Sequence, residues 1–430
     1  MRFCWRCLRI AALVQKLLSE TINYYLKEAL YIIMNKEEWM SLSDQYIMGT
    51  YRRFPVVFNR GKGMKLWDTD DREYLDFVAG IAVCSLGHAH PAVSAAIKNQ
   101  ADKLIHVSNL YHIDTQIEYA KLLIQHTALD KVFFCNSGAE ANEGAIKLAK
   151  KYGNDHSGGL KNEIVTMIGS FHGRTMATIT ATGQDKFHKG FNPLLAGFQY
   201  VPFNDLGALE KVISENTCAV MIEPIQAEGG IRVPDSDYFQ KVRRLCDEKD
   251  VLLILDEVQV GMGRTGTLLA HEQDGIIPDI VTMAKAMGNG FPIGAVLAKD
   301  SVAAAFEPGT HASTFGGNPL AMAAAKATLE TLLAEDLISN CLVRGGYFMN
   351  TLNELGKKHP VIREVRGRGL LIGMELDCEV AGIISKCMDR GLLIASAGPQ
   401  VLRFVPPLIV SEPEIDQCVE ILDDVLGEGA

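Results

Sequence analysis

Short apolar runs alternate with amphipathic stretches along most of the chain. Five runs are typical of buried strands, at residues 163–168, 219–222, 251–255, 280–283 and 293–298. Helical periodicity fits residues 139–152, 238–249 and 320–333. The alternation predicts an α/β fold in which a mostly parallel central sheet is covered by helices.

The arrangement of these elements also predicts how the chain is divided. We expect a large domain at residues 91–312. A small α+β domain would be built from both chain ends, residues 34–90 and 313–430, while residues 1–33 form an extension. The C-terminal part of the small domain would begin with a glycine-rich turn that reads Ser313-Thr314-Phe315-Gly316-Gly317-Asn318-Pro319.

Composition narrows the functional class. The chain has 430 residues, a formal net charge of -10 and no long basic run, so a nucleic-acid partner is not expected. Ten cysteines are scattered through apolar surroundings, which favours reduced thiols over a disulfide framework. Cys4 and Cys7 form a lone C-x-x-C without further ligands nearby, so no metal site is expected.

The first 33 residues carry arginines and few acids, as a matrix-targeting peptide would. Their apolar part is interrupted by Gln15 and Lys16 and is too short to span a membrane. We favour the explanation that the start codon was assigned too far upstream and that translation begins at Met34. A transit peptide is the alternative. The expected location is therefore cytoplasmic, with the mitochondrial matrix as the alternative.

The strongest chemical feature is the position of one lysine. Lys285 is the only charged residue in the apolar stretch 280–298, and such a lysine rarely lacks a partner or a function. The predicted strand before it ends in Asp256 and Glu257. Pyridoxal phosphate (PLP) needs a lysine for its aldehyde and an acid for its pyridinium nitrogen. We therefore predict a PLP site, with Gln259 within reach of the phenolic oxygen of the ring.

Two further segments could complete that site. Ser137 and Glu140 fit a capping box, and the exposed amides of Gly138 and Ala139 could bind a phosphate at the helix N-terminus. Phe171 could lie on the pyridine ring. Arg174 could hold a substrate carboxylate through a bidentate pair. Each of these features alone is commonly structural.

Taken together, the motifs resemble a known family. The matching stretches are AGIAVCSLGHAHP, SNLYH, NSGAEANEGAIKLAKKYG, FHGRT, EPIQAEGG, LDEVQVGMGRTG, AKAMGNGFPIGA, HASTFGGNPLA and VLRFVPPL. They resemble the class III aminotransferases of PLP fold type I, and within that class the enzymes acting on N-acetylornithine. The resemblance runs from about Tyr46 to the C-terminus.

The resemblance implies roles for particular residues. Those implied at the cofactor are Ser137, Gly138, Ala139, Phe171, Asp256, Glu257, Val258, Gln259, Thr314 and the Schiff-base lysine Lys285. Those implied at the amino-acid and 2-oxo-acid substrates are Tyr51, Arg174, Ser313, Glu228 and Arg403. Thr314 would reach in from the neighbouring subunit, which implies a homodimer with shared active sites.

Alternatives remain within and outside this class. Ornithine, 4-aminobutyrate or N-succinyl-diaminopimelate could replace the acetylated substrate, since Ala227 and His112 depart from the usual pattern near the expected substrate channel. An aminomutase of the glutamate-1-semialdehyde type shares the fold, but that group resembles DEVMTGFR where this chain has Gln259 and GMGRTG. A non-catalytic binding protein would require Lys285 to be idle.

Overall fold

The computed structural model describes residues 34–429, so the predictions for residues 1–33, including Cys4 and Cys7, lie outside the described residues. The chain divides into two units. The first covers residues up to Arg60 together with Leu66–Glu73, and the second covers Gly61–Lys65 and Tyr74–Ala430. In the first unit, helix α1 (Lys36–Tyr46) has Asn35 as its N-cap residue. Asn35 and Glu38 form a reciprocal capping box with two bonds of 2.9 Å, which fixes that helix end.

The remaining elements follow in chain order. The strands are β1 (Phe58–Lys62), β2 (Lys65–Asp68), β3 (Glu73–Asp76), β4 (Lys131–Cys135), β5 (Glu163–Ile168), β6 (Phe198–Pro202), β7 (Thr217–Ile222), β8 (Leu252–Asp256), β9 (Ile280–Met283), β10 (Gly294–Ala298), β11 (Ile362–Arg368), β12 (Leu371–Leu376), β13 (Leu392–Leu393), β14 (Ala395–Ser396) and β15 (Val401–Phe404). The helices are α2 (Ala79–Ala82), α3 (Pro91–Ala101), α4 (Asp114–Gln125), α5 (Gly138–Ser157), α6 (Met176–Ala181), α7 (Asp185–His188), α8 (Leu206–Val212), α9 (Tyr238–Glu248), α10 (Asp300–Ala303), α11 (Pro319–Ala334), α12 (Leu337–Lys358), α13 (Ala381–Asp389) and α14 (Glu412–Gly427). Within residues 34–429, no helix is both long and apolar enough to cross a bilayer.

A seven-stranded sheet forms the centre of the second unit, in the order β4-β10-β9-β8-β7-β5-β6. Strands β6, β5, β7, β8 and β9 are mutually parallel, and β10 is antiparallel to both β9 and β4. Every residue of β7, β8 and β9 is buried, which explains their continuous apolar sequences. The mostly parallel sheet predicted from the sequence is thereby confirmed.

The direction of the strands gathers the polar residues at one edge. Because β10 is antiparallel to both β4 and β9, those two strands run in the same direction as the parallel group. The carboxyl ends of β4, β5, β7, β8 and β9 therefore meet at one edge. Asp256 is paired there with Thr282, and helix α5 begins just after β4. Open α/β sheets bind ligands at this edge.

The C-terminal part contains a second, antiparallel sheet in the order β11-β12-β15-β14. In this sheet Arg403 lies opposite Gly373 on one side and Ala395 on the other. Helix α11 leads into this part. Its N-cap residue is Asn318, whose side chain accepts a 2.8 Å hydrogen bond from the amide of Ala321. The division into a large domain at residues 91–312 and a small domain on either side of it remains a prediction.

Candidate active site

A cavity of about 390 Å³ opens at the carboxyl edge of the central sheet. Most of the residues predicted at the cofactor line it together with Arg174. The lining includes Ser137, Gly138, Ala139, Asn142, Phe171, His172, Arg174, Glu223, Asp256, Val258, Gln259 and Lys285. The structure therefore brings together residues that are spread over about 150 positions of sequence, which is the arrangement that a small-molecule site requires.

Lys285 lies two residues after the end of strand β9 and begins a short 3-10 helix (Lys285–Gly288). Its backbone φ is +46°, a left-handed conformation that is uncommon for a lysine and marks a locally strained position. Burial lowers the pKa of its amine from 10.5 to about 8, with the carboxylate of Glu228 opposing and the nearby Arg403 reinforcing that change. A lysine in this condition supplies a neutral, nucleophilic amine near physiological pH.

Asp256 ends strand β8 and is only 4% exposed. Its Oδ2 accepts hydrogen bonds from Asn142 Nδ2 at 2.8 Å and from His172 Nδ1 at 2.7 Å. Its Oδ1 accepts a 3.0 Å bond from the amide of Val258. Three N–H donors stabilise an ionised carboxylate and fix its direction. No lysine or arginine side chain of the described residues forms an ion pair with it, so its charge is available to a cationic ligand group.

Asn142, His172 and Thr282 form a hydrogen-bonded support behind Asp256 that the sequence did not identify. The hydroxyl of Thr282 donates to Asn142 Oδ1 at 2.7 Å, and Asn142 Nδ2 also donates to the carbonyl of His172 at 2.7 Å. Asn142 lies one helical turn from Gly138 on α5, and Thr282 interrupts an otherwise apolar strand. Those two features were the available sequence clues.

His172 contributes a buried imidazole to this support. A carboxylate can only accept, so His172 Nδ1 carries the proton that it donates to Asp256. Among the described residues, Nε2 is buried without a partner. His172 therefore fixes the direction of the Asp256 carboxylate from one side, together with Asn142.

The N-terminus of helix α5 forms one wall of the cavity. Ser137 Oγ accepts a 3.1 Å bond from the amide of Glu140, as predicted. The reciprocal half of the predicted capping box is absent because Glu140 Oε2 accepts instead from the backbone and side-chain amides of Asn136, both at 2.8 Å. A Cβ on Gly138 would lie 2.6 Å from Val258 Cγ1, so only glycine fits this wall.

Phe171 and Glu223 meet at the floor of the cavity. The amide of Phe171 donates to Glu223 Oε2 at 3.0 Å. Burial raises the pKa of Glu223 well above its ordinary value, and the neighbouring charge of Asp256 acts in the same direction. Glu223 was not singled out from the sequence. Glu223 directly follows the buried strand β7, and Asp256 ends the neighbouring buried strand β8. This similar placement of two acids was the available sequence clue.

Glu228, Gln259 and Arg403 form a connected cluster beside the cavity. Arg403 is only 3% exposed and forms a close ion pair with Glu228 through its NH1 group, which also donates to Gln259 Oε1 at 3.0 Å. Gln259 Nε2 in turn donates to Glu228 Oε1 at 3.2 Å. Burial alone would raise the pKa of Glu228, but the attraction of Arg403 lowers it overall.

The other predicted residues lie in different surroundings. The carboxylate of Glu257 does not line the cavity, because it is occupied by the amides of Ala270 and His271 and by His271 Nδ1 at 2.7 Å. Ser313 and Thr314 line a neighbouring cavity, and Ser313 Oγ accepts a 3.2 Å bond from Asn136, a residue common to both cavities. Tyr51 belongs to the first unit and is exposed.

Comparison with known proteins agrees with this geometry. Residues 46–426 match the family model described as aminotransferase class-III. The acetylornithine aminotransferase of Caldanaerobacter subterraneus is 54% identical over 390 residues, covering 90% of this chain and 99% of that protein. The ornithine aminotransferase of Toxoplasma gondii superimposes with a TM-score of 0.91 at 34% identity, covering 95% of this chain and 97% of that one.

A third relative is an acetylornithine-type enzyme whose structure has been solved. The N-acetylornithine aminotransferase of Stenotrophomonas maltophilia is 40% identical, with a TM-score of 0.78, covering 90% of this chain and 98% of that one. The match therefore spans almost the whole of each relative as well as the elements that build the cavity. The chain belongs to the class III aminotransferases.

Proposed function

We propose that this aminotransferase moves the terminal amino group of N2-acetyl-L-ornithine to 2-oxoglutarate. The products would be N-acetyl-L-glutamate 5-semialdehyde and L-glutamate, as a step of arginine biosynthesis. The observation that carries the proposal is the Glu228–Arg403 pair beside a cavity whose mouth holds a separate arginine, Arg174. Bacterial and archaeal acetylornithine aminotransferases that are about half identical support this substrate and a cytoplasmic location.

The cavity fits PLP. Lys285 offers the amine and Asp256 the buried carboxylate, the amides of Gly138 and Ala139 lie at the N-terminus of α5, and Phe171 supplies an aromatic wall. Gly138 and Val258 pack closely against each other, and both line the cavity. When bound, PLP supplies an electron sink for the negative charge that develops at the substrate carbon.

The residues of the chain would then control charge and protons. Asp256, held by Asn142, His172 and the Val258 amide, would keep the pyridine nitrogen protonated. Its buried position makes that charge more effective than it would be in water. Lys285, with its lowered pKa, would hold the cofactor at rest and carry a proton between two carbons once the substrate amine has displaced it.

Two arginines would let one site accept two different substrates. N-acetylornithine reacts at its terminal amine, so its α-carboxylate lies far from the reacting carbon and would meet Arg174. Glutamate reacts at its α-amine, so its α-carboxylate would bind close to the reacting carbon, at Arg403. With the acylated substrate bound, the Glu228 carboxylate would keep Arg403 neutralised, which avoids an unpaired buried charge.

We also propose that the active unit is a homodimer with shared sites. Phe315 in the loop that carries Thr314 is exposed, and so are five apolar side chains in the segment that contacts this loop: Leu104, Ile105, Leu110, Tyr111 and Ile117. Asn109 donates to the carbonyls of Ser313 and Gly316 at 3.2 and 2.8 Å, which joins this surface to that loop. An apolar patch of this kind is suited to a protein partner, here a second copy of the chain that receives Thr314.

The test is a substrate panel. Purified protein with PLP is supplied with 2-oxoglutarate and with N-acetylornithine, ornithine or 4-aminobutyrate, and glutamate formation is measured. We expect kcat/KM for N-acetylornithine to exceed that for the other amines by about tenfold or more, because the chain is about half identical to several acetylornithine aminotransferases. Lys285→Ala serves as the inactive control, and turnover without any 2-oxo acid would instead indicate an aminomutase.

Ornithine is the second candidate. The high TM-score to the Toxoplasma gondii ornithine aminotransferase favours it. Its free α-amine would have to be accommodated where the acyl group of N-acetylornithine is expected to lie. A kcat/KM for ornithine equal to or above that for N-acetylornithine would replace the first proposal with this one.

A further inference from the structure

Arg174 stands at the mouth of the cavity without a carboxylate partner. Its side chain is exposed, lines the cavity, and forms no ion pair with any residue between positions 34 and 429. A free exposed arginine samples many rotamers and loses that freedom when it binds a ligand. Something other than an acid must therefore restrict Arg174 if it is to bind a carboxylate efficiently.

The contact that restricts it is an aromatic ring. The guanidinium carbon of Arg174 lies 4.2 Å from the centroid of the Phe187 ring and 5.6 Å from that of Phe171. Phe187 and Phe171 themselves pack edge to face, with centroids 5.5 Å apart and planes at 69°. A guanidinium over a ring face gains cation–π attraction while leaving its N–H donors directed outward.

Phe187 is held in place by its sequence neighbours. It lies in the short helix α7, and its amide donates to the carbonyl of Gln184 at 3.0 Å. Gln184 Nε2 donates to the carbonyl of Ser170 at 2.9 Å, and His188 Nε2 lies 2.7 Å from the carbonyl of Thr182. The ring is thus tied to the segment that carries Phe171, on the floor of the cavity.

A second cation stands on the same ring. The Lys186 ammonium lies 4.8 Å from the Phe187 centroid and is exposed. Within the described part of the chain it forms no ion pair with a carboxylate. Two unpaired positive charges around one ring make this mouth attractive to an anionic group approaching from solvent.

We propose that Phe187 is a positioning residue that holds the Arg174 guanidinium ready for the substrate carboxylate farthest from the reacting amine. The inference rests on the proposed function, in which the α-carboxylate of N-acetylornithine meets Arg174. Phe187 would determine the affinity for substrates that carry a distant carboxylate. It would affect glutamate only through the side-chain carboxylate, which is the one farthest from the reacting α-amine. It would not affect an amine without a carboxylate, such as 1-aminopentane, nor the chemical step.

The experiment compares four holoenzymes: wild type, Phe187→Leu, Phe187→Tyr and Phe191→Leu. Phe191 is a matched control, because it lies in the same segment and is 54% exposed but carries no stacked cation among the contacts of the described residues. For Phe187→Leu we expect KM for N-acetylornithine to rise about fivefold, the loss that one cation–π contact implies, with kcat within about twofold. KM for 1-aminopentane, which has no carboxylate, should stay unchanged, and Phe187→Tyr and Phe191→Leu should resemble wild type.

The possible outcomes separate the two proposals. An equal rise in KM for N-acetylornithine and 1-aminopentane, or none for N-acetylornithine, overturns the positioning role. If Phe187→Leu does not fold, Phe187→Met retains the apolar volume without a ring face and is read in the same way. If the wild type itself does not turn over N-acetylornithine, the proposed function fails. Phe187 is then tested with 5-aminopentanoate, which carries a distant carboxylate, and with 1-aminopentane, which carries none. The inference stands only if Phe187→Leu raises the ratio of KM for 5-aminopentanoate to KM for 1-aminopentane.

Discussion

The lowered pKa of Lys285 gives a prediction whose size follows from the structure. A change from 10.5 to about 8 corresponds to about 3 kcal/mol by which the fold disfavours the protonated amine. At pH 7, about a tenth of Lys285 amines would be neutral, against about 0.03% for an ordinary lysine. The apoprotein should therefore react with carbonyl reagents through this one lysine some hundredfold faster than through its exposed lysines.

The assay is covalent trapping. Apoprotein is incubated with pyridoxal, which lacks the phosphate, and is reduced with borohydride at a series of pH values. The label on Lys285 is then quantified by mass spectrometry, with the exposed lysines as internal reference. We expect labelling of Lys285 to rise with pH with a midpoint near pH 8 and to level off above about pH 9. A midpoint near 10, shared with the exposed lysines, would refute the argument from burial.

The same pKa fixes the sign of a stability effect. Because the folded-state pKa lies below that of the unfolded chain, protonation of Lys285 destabilises the fold below about pH 8, and the destabilisation disappears as pH rises toward 10.5. Lys285→Met apoprotein should resist urea better than wild type at pH 7. That advantage should shrink as pH approaches 10, and a constant difference across this range would contradict the reasoning.

Three further predictions concern the roles of individual residues. Asp256→Ala should bind PLP more weakly and lose far more kcat than affinity, since its charge matters most as the carbanion develops; single-turnover half-reactions within about twofold of wild type would contradict this. Arg403→Ala should slow the glutamate half-reaction far more than the acetylornithine half-reaction, followed by stopped-flow absorbance, whereas equal slowing would eliminate the two-arginine scheme. Mixing inactive Lys285→Ala with an inactive Thr314 variant should restore some activity through hybrid dimers, and a fully active monomer in sedimentation would reject the shared site.

The sequence predicted the central sheet well for a physical reason. Strands β7, β8 and β9 are buried on both faces, so their sequences are continuously apolar and stand out from the amphipathic helices between them. The reversed direction of β10 was not predictable in the same way. Its sequence is as apolar as that of its neighbours, and strand direction is set by pairing partners that a local pattern does not reveal.

Site residues could be predicted from the sequence where the chemistry permits only one residue type. They could not be predicted where their role depends on the geometry of the folded chain. Lys285 and Asp256 stood out because a charge in an apolar segment needs a reason. Phe187 and His172 did not, because a phenylalanine or histidine near other aromatic residues is ordinary in a core. Their roles depend on which ring face or nitrogen meets Arg174 or Asp256, and only the folded chain determines that.

The three carboxyl groups around Lys285 are kept in different states by their surroundings. The adjacent Arg403 lowers the pKa of Glu228, and three N–H groups converge on the Asp256 carboxylate. Glu223 has a single amide donor and faces both of those charges, so burial favours its protonated form. The site therefore does not neutralise Lys285 with a directly paired acid. Since the Asp256 carboxylate is not paired with Lys285, it remains directed at the position where a cationic ring nitrogen would bind, which is the electrostatic condition that transamination needs.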